Sequence, residues 1–139
     1  NIAANQVLND TVNELQISLE TARTTALSRN RRVTVAPMAG TDWTTGWRVF
    51  IDSNANGAFD DGEEQIQQRE AMDSKLALFD SSITSCKKST FFSYAADGFL
   101  AGGTAGSVPI QHSDTGRQKC VTVAAMGRPR ICEVKGSTC

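Results

Sequence analysis

Thr45-Gly46-Trp47-Arg48-Val49-Phe50-Ile51-Asp52-Ser53-Asn54-Ala55-Asn56-Gly57-Ala58-Phe59-Asp60-Asp61-Gly62-Glu63-Glu64-Gln65-Ile66 is the stretch that organises this chain. Between Trp47 and Ile51 large apolar side chains alternate with others, and β-branched and aromatic types dominate. That is the pattern of a strand with one buried face. At Asp52 the composition switches to Asp, Asn and Gly, residues that favour tight turns and tolerate left-handed backbone angles. An apolar position returns at Ile66, and residues 65–69 read as a return strand. The stretch therefore predicts a β-hairpin with a long, ordered acidic tip, and the rest of the chain is laid out on either side of it.

Upstream, residues 3–30 read as a helix that no Gly or Pro interrupts. Leu8, Val12, Leu15, Leu19, Ala22 and Ala26 recur at alternating spacings of four and three, one apolar stripe on a helix surface. Arg23, Arg29, Arg31 and Arg32 gather toward its end, where positive charge suits the helix dipole. Leu8, Val12, Leu15 and Leu19 are expected mainly to pack on a sheet; binding a partner helix is the other use of such a stripe. Val33–Val35 reads as a short strand closed by Pro37. Trp43 and Trp47 flank an expected turn at Gly46, and tryptophans bounding a core strand serve packing more often than sugar or base stacking.

Downstream, residues 71–79, Phe91–Tyr94 and Val108–Gln111 read as strands, with helix the alternative for 71–79, and with Asp97-Gly98 and a loop containing Gly102, Gly103 and Gly106 between the last two. Residues 119–125 and 130–134 form a second hairpin around Met126-Gly127-Arg128-Pro129. His112, the one histidine, has no nucleophile or ligand set near it in sequence and is assigned a surface or turn position. The fold class is α+β, an N-terminal helix packed on antiparallel β-sheet with two main hairpins. At 139 residues the chain suits one domain, residues 1–139, with a modest core.

The phrase Gly46-Trp47-x-Val49-Phe50-x-Asp52-x-Asn54-x-Asn56-Gly57-x-x-Asp60-x-Gly62-Glu63 resembles the GspH/FimT family, the pseudopilins and minor pilins of type II secretion and type IV pili. Within that family it looks most like the FimU and FimT minor pilins. The aromatic strand at Phe91, followed by Asp97-Gly98 and a Gly-rich turn, is similar to family members as well, so the resemblance covers nearly the whole chain. Many relatives place a cysteine just after the first strand, where Ala36 stands here.

The resemblance implies a pilin-like fold in which residues 1–30 are the C-terminal half of the long pilin helix and residues 31–139 the β-rich head. The leader and the apolar N-terminal half of that helix are absent from these residues. The function it implies is structural. A FimU-like subunit helps prime type IV pilus assembly, sits at or near the tip and links major pilin to other minor pilins. A FimT-like DNA-binding competence pilin and a GspH-like type II secretion pseudopilin are the alternatives. Implied partners are other minor pilins, major pilin and, through the apolar helix half, the inner membrane. The head is periplasmic before assembly and extracellular in the pilus afterwards. The sequence carries no Ser-His-Asp set, catalytic Cys-His pair or phosphate loop, and Asp52 with Glu63 as paired carboxylates comes without a substrate cleft, so no enzyme is expected.

Overall charge is nearly balanced, but its distribution is not. From Asp42 to Asp73 eight acids face Arg48 and Arg69, a local net of −6, and from His112 to Cys139 the local net is +3. Solvated faces or complementary poles toward neighbours both follow from such a pattern. The four cysteines all lie after residue 85 without a Cys-x-x-Cys or a nearby histidine, which favours two disulfides and an oxidising compartment over metal binding. Three pairings exist. The one preferred is Cys86–Cys120, joining a loop to the last hairpin, with Cys132–Cys139 closing a short C-terminal loop; a cross-strand Cys120–Cys132 bond stays open but is geometrically constrained.

Two ligand readings remain. Asp52, Asn54, Asn56, Gly57 and Glu63 satisfy the calcium-loop pattern D-x-[DN]-x-[DN]-G-x5-E, in which oxygens at alternate positions wrap a hard cation and Glu closes the shell. Asx-turns ordering the hairpin tip are the alternative use of the same residues. Gly127-Arg128-Pro129-Arg130 resembles the GRxR motif through which FimT pilins bind DNA. Arg128 and Arg130 would project on one side of an extended chain as a phosphate clamp, with Lys119 and Arg117 extending the patch.

Overall fold

The computed structural model describes residues 2–80, 82–101, 105–136 and 138–139. Helix α1 (Ile2–Arg29) is followed by β1 (Val33–Ala39), β2 (Asp42–Ile51), β3 (Gln65–Arg69), β4 (Leu76–Leu78), a 3-10 turn (Thr84–Cys86), β5 (Phe92–Tyr94), β6 (Gly106–His112), β7 (Gln118–Val123) and β8 (Pro129–Glu133). The strands form two four-stranded antiparallel sheets, in the orders β3-β2-β1-β5 and β4-β6-β7-β8. Hairpins β2–β3 and β7–β8 are the two read from the sequence; β1–β2 and β6–β7 add two more. Gly102 and Gly103 of the Gly-rich loop lie outside the described residues.

The helix stripe is what joins the sheets. Leu8, Val12, Leu15, Leu19, Ala22 and Ala26 are all buried. They share one core with Val33, Val35, Trp43, Trp47, Val49, Ile51, Phe92 and Tyr94 of the first sheet and with Leu76, Val108, Ile110, Val121 and Val123 of the second. The helix ends where Asn30 takes a left-handed φ of 53° and the Arg31 N–H donates back to the Ala26 carbonyl at 3.3 Å. This is the helix-ending geometry in which a residue of positive φ satisfies the last carbonyls.

Several boundaries differ from the sequence reading. β1 does not close at Pro37 but runs to Ala39, because β5 pairs only with Val33–Val35 and leaves one side of the remainder unpaired, where a strand tolerates proline. Gly46 is not a turn but an interior residue of β2; its φ of 95° and the close approach of the Arg69 carbonyl leave no room for a side chain. The turn lies earlier, between Ala39 and Asp42. His112 is buried rather than at the surface; its Nδ1 accepts the Asp114 N–H at 3.1 Å and so caps the turn that follows β6.

Both tryptophans are core residues with satisfied N–H groups. Trp47 Nε1 donates to Ser18 Oγ at 2.9 Å, Ser18 donates on to Gln67 Oε1 at 2.7 Å, and Trp43 Nε1 donates to the Ser89 carbonyl at 2.8 Å. The disulfides are Cys86–Cys120 and Cys132–Cys139. The first ties the 3-10 turn to β7, and the second returns the chain end to β8. Cys120 and Cys132 are directly paired across the β7–β8 ladder yet bond elsewhere.

Leu15→Ala should cost about 2–5 kcal/mol in urea unfolding because it opens a cavity at the helix–sheet junction. Ile17→Ala, on the exposed side of the same helix, should change stability by no more than about 0.5 kcal/mol.

Candidate functional site

The acidic segment does not extend outward as a hairpin tip. It folds back over the outer face of the first sheet, the face opposite the helix. The register explains how. In β2, Trp47, Val49 and Ile51 face the helix, so Arg48 and Phe50 face outward, opposite Ala36 and Thr34 of β1. Phe59 from the loop meets Phe50 edge-to-face at 5.3 Å between ring centroids, and the Arg48 guanidinium lies 4.3 Å above the Phe59 ring. Gly57 comes so close to Phe91 that a Cβ there would lie 2.6 Å from the ring, and its φ is 76°.

Asp52 anchors this fold-back. It is buried, and its Oδ2 accepts the Thr34 hydroxyl at 2.9 Å and the Gly57 N–H at 2.8 Å, while Oδ1 accepts the Asn56 N–H at 3.3 Å. Thr34 in turn shares a 2.7 Å hydrogen bond with Ser93. Further out, Asn54 and Asn56 donate their side-chain amides to Asp60 Oδ2 at 2.7 and 2.6 Å. The Asn54 bond first and the Asn56 bond second hold the Asp60 carboxyl below its usual value. Glu63 accepts the Ser53 and Asp60 N–H groups, both at 2.8 Å. Arg29 clasps Glu64 at 3.0 and 3.1 Å, tying the helix end to the loop exit.

This geometry bears on the calcium pattern. Asp52, Asn54, Asn56 and Glu63 are all engaged in hydrogen bonds, Asp52 with Thr34 and the loop backbone, the two Asn amides with Asp60, and Glu63 with two backbone N–H groups. Among the described residues no group of three His, Cys, Asp or Glu is gathered as a metal site. Two of the pattern's members present amide donors to Asp60 where an ion needs oxygen. An ion would have to displace the donors that order the loop, so the residues as placed do not fit one.

Beside the loop lies a cleft of about 410 Å³ between β1 and the folded-back segment, lined by Pro37, Met38, Arg48, Phe50, Phe59 and Phe91 among others.

The basic hairpin is only partly the patch read from sequence. Its turn is pinned by Tyr94, whose hydroxyl donates to the Gly127 carbonyl at 2.6 Å; burial raises the Tyr94 phenol pKa, which keeps it a donor. Arg128 and Arg130 are exposed, and neither joins an ion pair among the described residues. Arg130 pairs with Thr122 on the outer face of the second sheet. Lys119 is offset by one in the alternation, on the side of Val121 and Val123, and stands opposite Glu133, three ladder positions or roughly 10 Å from Arg130. Arg117 is bound to Glu133 at 2.9 and 2.6 Å, which holds that carboxyl below its usual value. Lys119 and Arg117 therefore do not extend the Arg128 and Arg130 pair.

A single long helix seated across antiparallel β-sheet, with a disulfide-closed C-terminal end, defines a pilin-like head. Residues 11–127 match the family model for the type II transport protein GspH, and the chain belongs to that family. It is a minor pilin or pseudopilin of the GspH type. The fold is similar to the type IV minor pilin FimU of Pseudomonas aeruginosa in two crystal forms. One gives a TM-score of 0.73 at 17% identity over 99% of both chains, the other 0.66 at 16% identity over 93% of this chain and 98% of that one. It is also similar to the minor pseudopilin EpsH from the type 2 secretion system of Vibrio cholerae, with a TM-score of 0.59 at 12% identity over 90% of this chain and 95% of that one. Among curated proteins no sequence matches the chain.

Saturating calcium against EGTA should move the thermal midpoint by less than about 1 °C, because an ion held at a hundred times its dissociation constant would add about 2.7 kcal/mol and shift it by several degrees. A shift of that larger size would mean that the loop rearranges around an ion.

Proposed function

We propose that the chain is the head of a FimU-like minor pilin. In this reading it helps prime assembly of the type IV pilus, sits at or near its tip and links major pilin to other minor pilins. The observation that carries it is the fit to FimU across 99% of both chains, with a higher TM-score than the fit to EpsH. The mechanism is association rather than catalysis. Within the described part of the helix the Leu8–Ala26 stripe is consumed by the head's own sheets, so this stripe is closed to partner helices and contacts with neighbours fall to the outer surfaces. No helix among the described residues is long and apolar enough to cross a membrane. Anchoring in the inner membrane before assembly belongs, in this reading, to an apolar helix half preceding residue 1, with the head periplasmic and later part of the extracellular pilus.

Deleting the gene in frame in its own host should abolish surface pili and twitching while leaving secreted exoproteins at their normal level. The opposite result, pili intact and secretion lost, would place the subunit in a type II secretion pseudopilus.

A second reading has its own observation. Arg128 and Arg130 are exposed at a turn fixed by Tyr94 and have no carboxylate partner among the described residues, which suits a weak phosphate clamp. In a low-salt mobility-shift titration the double variant Arg128→Ala/Arg130→Ala should lose retardation of duplex DNA, and Lys119→Ala should leave it unchanged. Equal shifts for wild type and the double variant would remove DNA binding from this motif.

A further inference from the structure

The cleft over the first sheet carries a charge that the chain itself does not answer. Arg48 lies in a stretch of net charge −6, yet no ion pair among the described residues includes it. Four of the acids around it are committed elsewhere. Asp52 holds Thr34 and the loop backbone, Asp60 holds the Asn54 and Asn56 amides, Glu63 holds two backbone N–H groups, and Glu64 holds Arg29. The Arg48 Nε is out of solvent and has no acceptor. Arg23, Arg32 and Arg69 have Nε atoms in the same condition. Of these four, Arg48 is the one whose guanidinium lies over an aromatic ring, with its Cζ 4.3 Å from the Phe59 centroid, which restrains its position before anything binds.

A buried donor without an acceptor is costly, and a guanidinium presents its donors in a fork that matches a carboxylate. Around that fork the cleft wall is mixed: Pro37, Met38, Phe59 and Phe91 supply apolar surface, and Thr41, Asn56 and Thr90 supply polar groups. Its volume of about 410 Å³ holds a few side chains.

We propose that this cleft is a docking site for an aspartate or glutamate side chain, with an adjoining apolar residue, on the head of a neighbouring pilin-type subunit. The carboxylate takes the Arg48 fork and the apolar residue covers Phe59 and Phe91. The choice of a pilin-type neighbour rests on the functional reading above. The chemistry of the cleft does not, and it is tested separately.

The test is a titration of the ¹⁵N-labelled protein with two blocked dipeptides, Ac-Phe-Glu-NH₂ and Ac-Phe-Gln-NH₂, followed by NMR. The glutamate peptide should give saturable shifts at the Arg48 Nε–H and at the Gly57, Phe59 and Phe91 amides. The glutamine peptide should bind at least about fivefold more weakly, since it lacks the charge. Arg48→Gln should abolish the difference with the rest of its spectrum unchanged. Should that variant misfold, Arg48→Lys, which keeps the charge and loses the fork, should still weaken binding. Equal binding of the two peptides, shifts confined to another surface, or no saturable shift would overturn the site. In the producing cell, a photocrosslinker placed at Met38 should capture another pilin subunit within a few residues of an acidic side chain. A product without a carboxylate there, or none, would overturn the named occupant. Because the peptide arm uses purified protein, it stands or falls independently of the deletion phenotype.

Discussion

Everything in this molecule depends on one helix face being buried twice. A four-stranded sheet with one covered face has no core of its own, and here two such sheets share a single stripe, Leu8 to Ala26. The stripe faces Trp47, Val49 and Ile51 on one side and Val108, Val121 and Val123 on the other. Burial of apolar surface supplies the drive, and the two tryptophan N–H groups supply direction, since each must find an acceptor once removed from water. Trp47 finds it on the helix at Ser18, so the apolar contact between helix and first sheet is also fixed in register.

The second constraint is the buried carboxylate of Asp52. A carboxylate removed from water requires donors, and three come from groups that would otherwise have no reason to meet: the Thr34 hydroxyl and the Asn56 and Gly57 backbone amides. Meeting that requirement bends the loop back onto the sheet and places Phe59 over Phe50. The loop is therefore a cover. The first sheet has helix on one face and, over part of the other, its own hairpin connection.

These two constraints also set where contacts with neighbours can form. The helix stripe within residues 2–29 is internal and four of the loop acids are internally engaged, so contacts with neighbours fall to outer surfaces, among them the cleft beside Arg48 and the exposed arginines of the last turn. The disulfides act on the same end of the molecule, one fastening the 3-10 turn to β7 and the other fastening the C-terminus to β8. Such crosslinks mainly reduce the freedom of the unfolded chain. They suit the small second sheet, whose edge strand β4 contributes three residues.

Much of this was legible in the amino-acid order, because it rests on local periodicity and turn chemistry. The spacing of Leu8, Val12, Leu15 and Leu19 specifies a helix with one apolar face. The alternation around Trp47 specifies a strand, and the motif from Gly46 to Glu63 points to the family. What the order of residues left undecided depends on distant groups meeting. Pro37 is compatible with a continuing strand only because β5 stops short of it, and His112 is buried because β6 runs on to it and places it on the same face as Val108 and Ile110. The pattern Asp52, Asn54, Asn56, Glu63 describes ligand types but not where they point; Thr34, from another strand, takes the oxygen that a calcium loop would offer. Likewise Lys119 and Arg130 belong to one hairpin, yet the β7–β8 register pairs Arg130 with Thr122, an odd number of residues from Lys119, and so puts the two on opposite faces. Sequence determined the elements and their faces, because those follow from short-range sterics and burial. Tertiary structure alone decided which buried polar groups found partners and which, at Arg48 among others, did not.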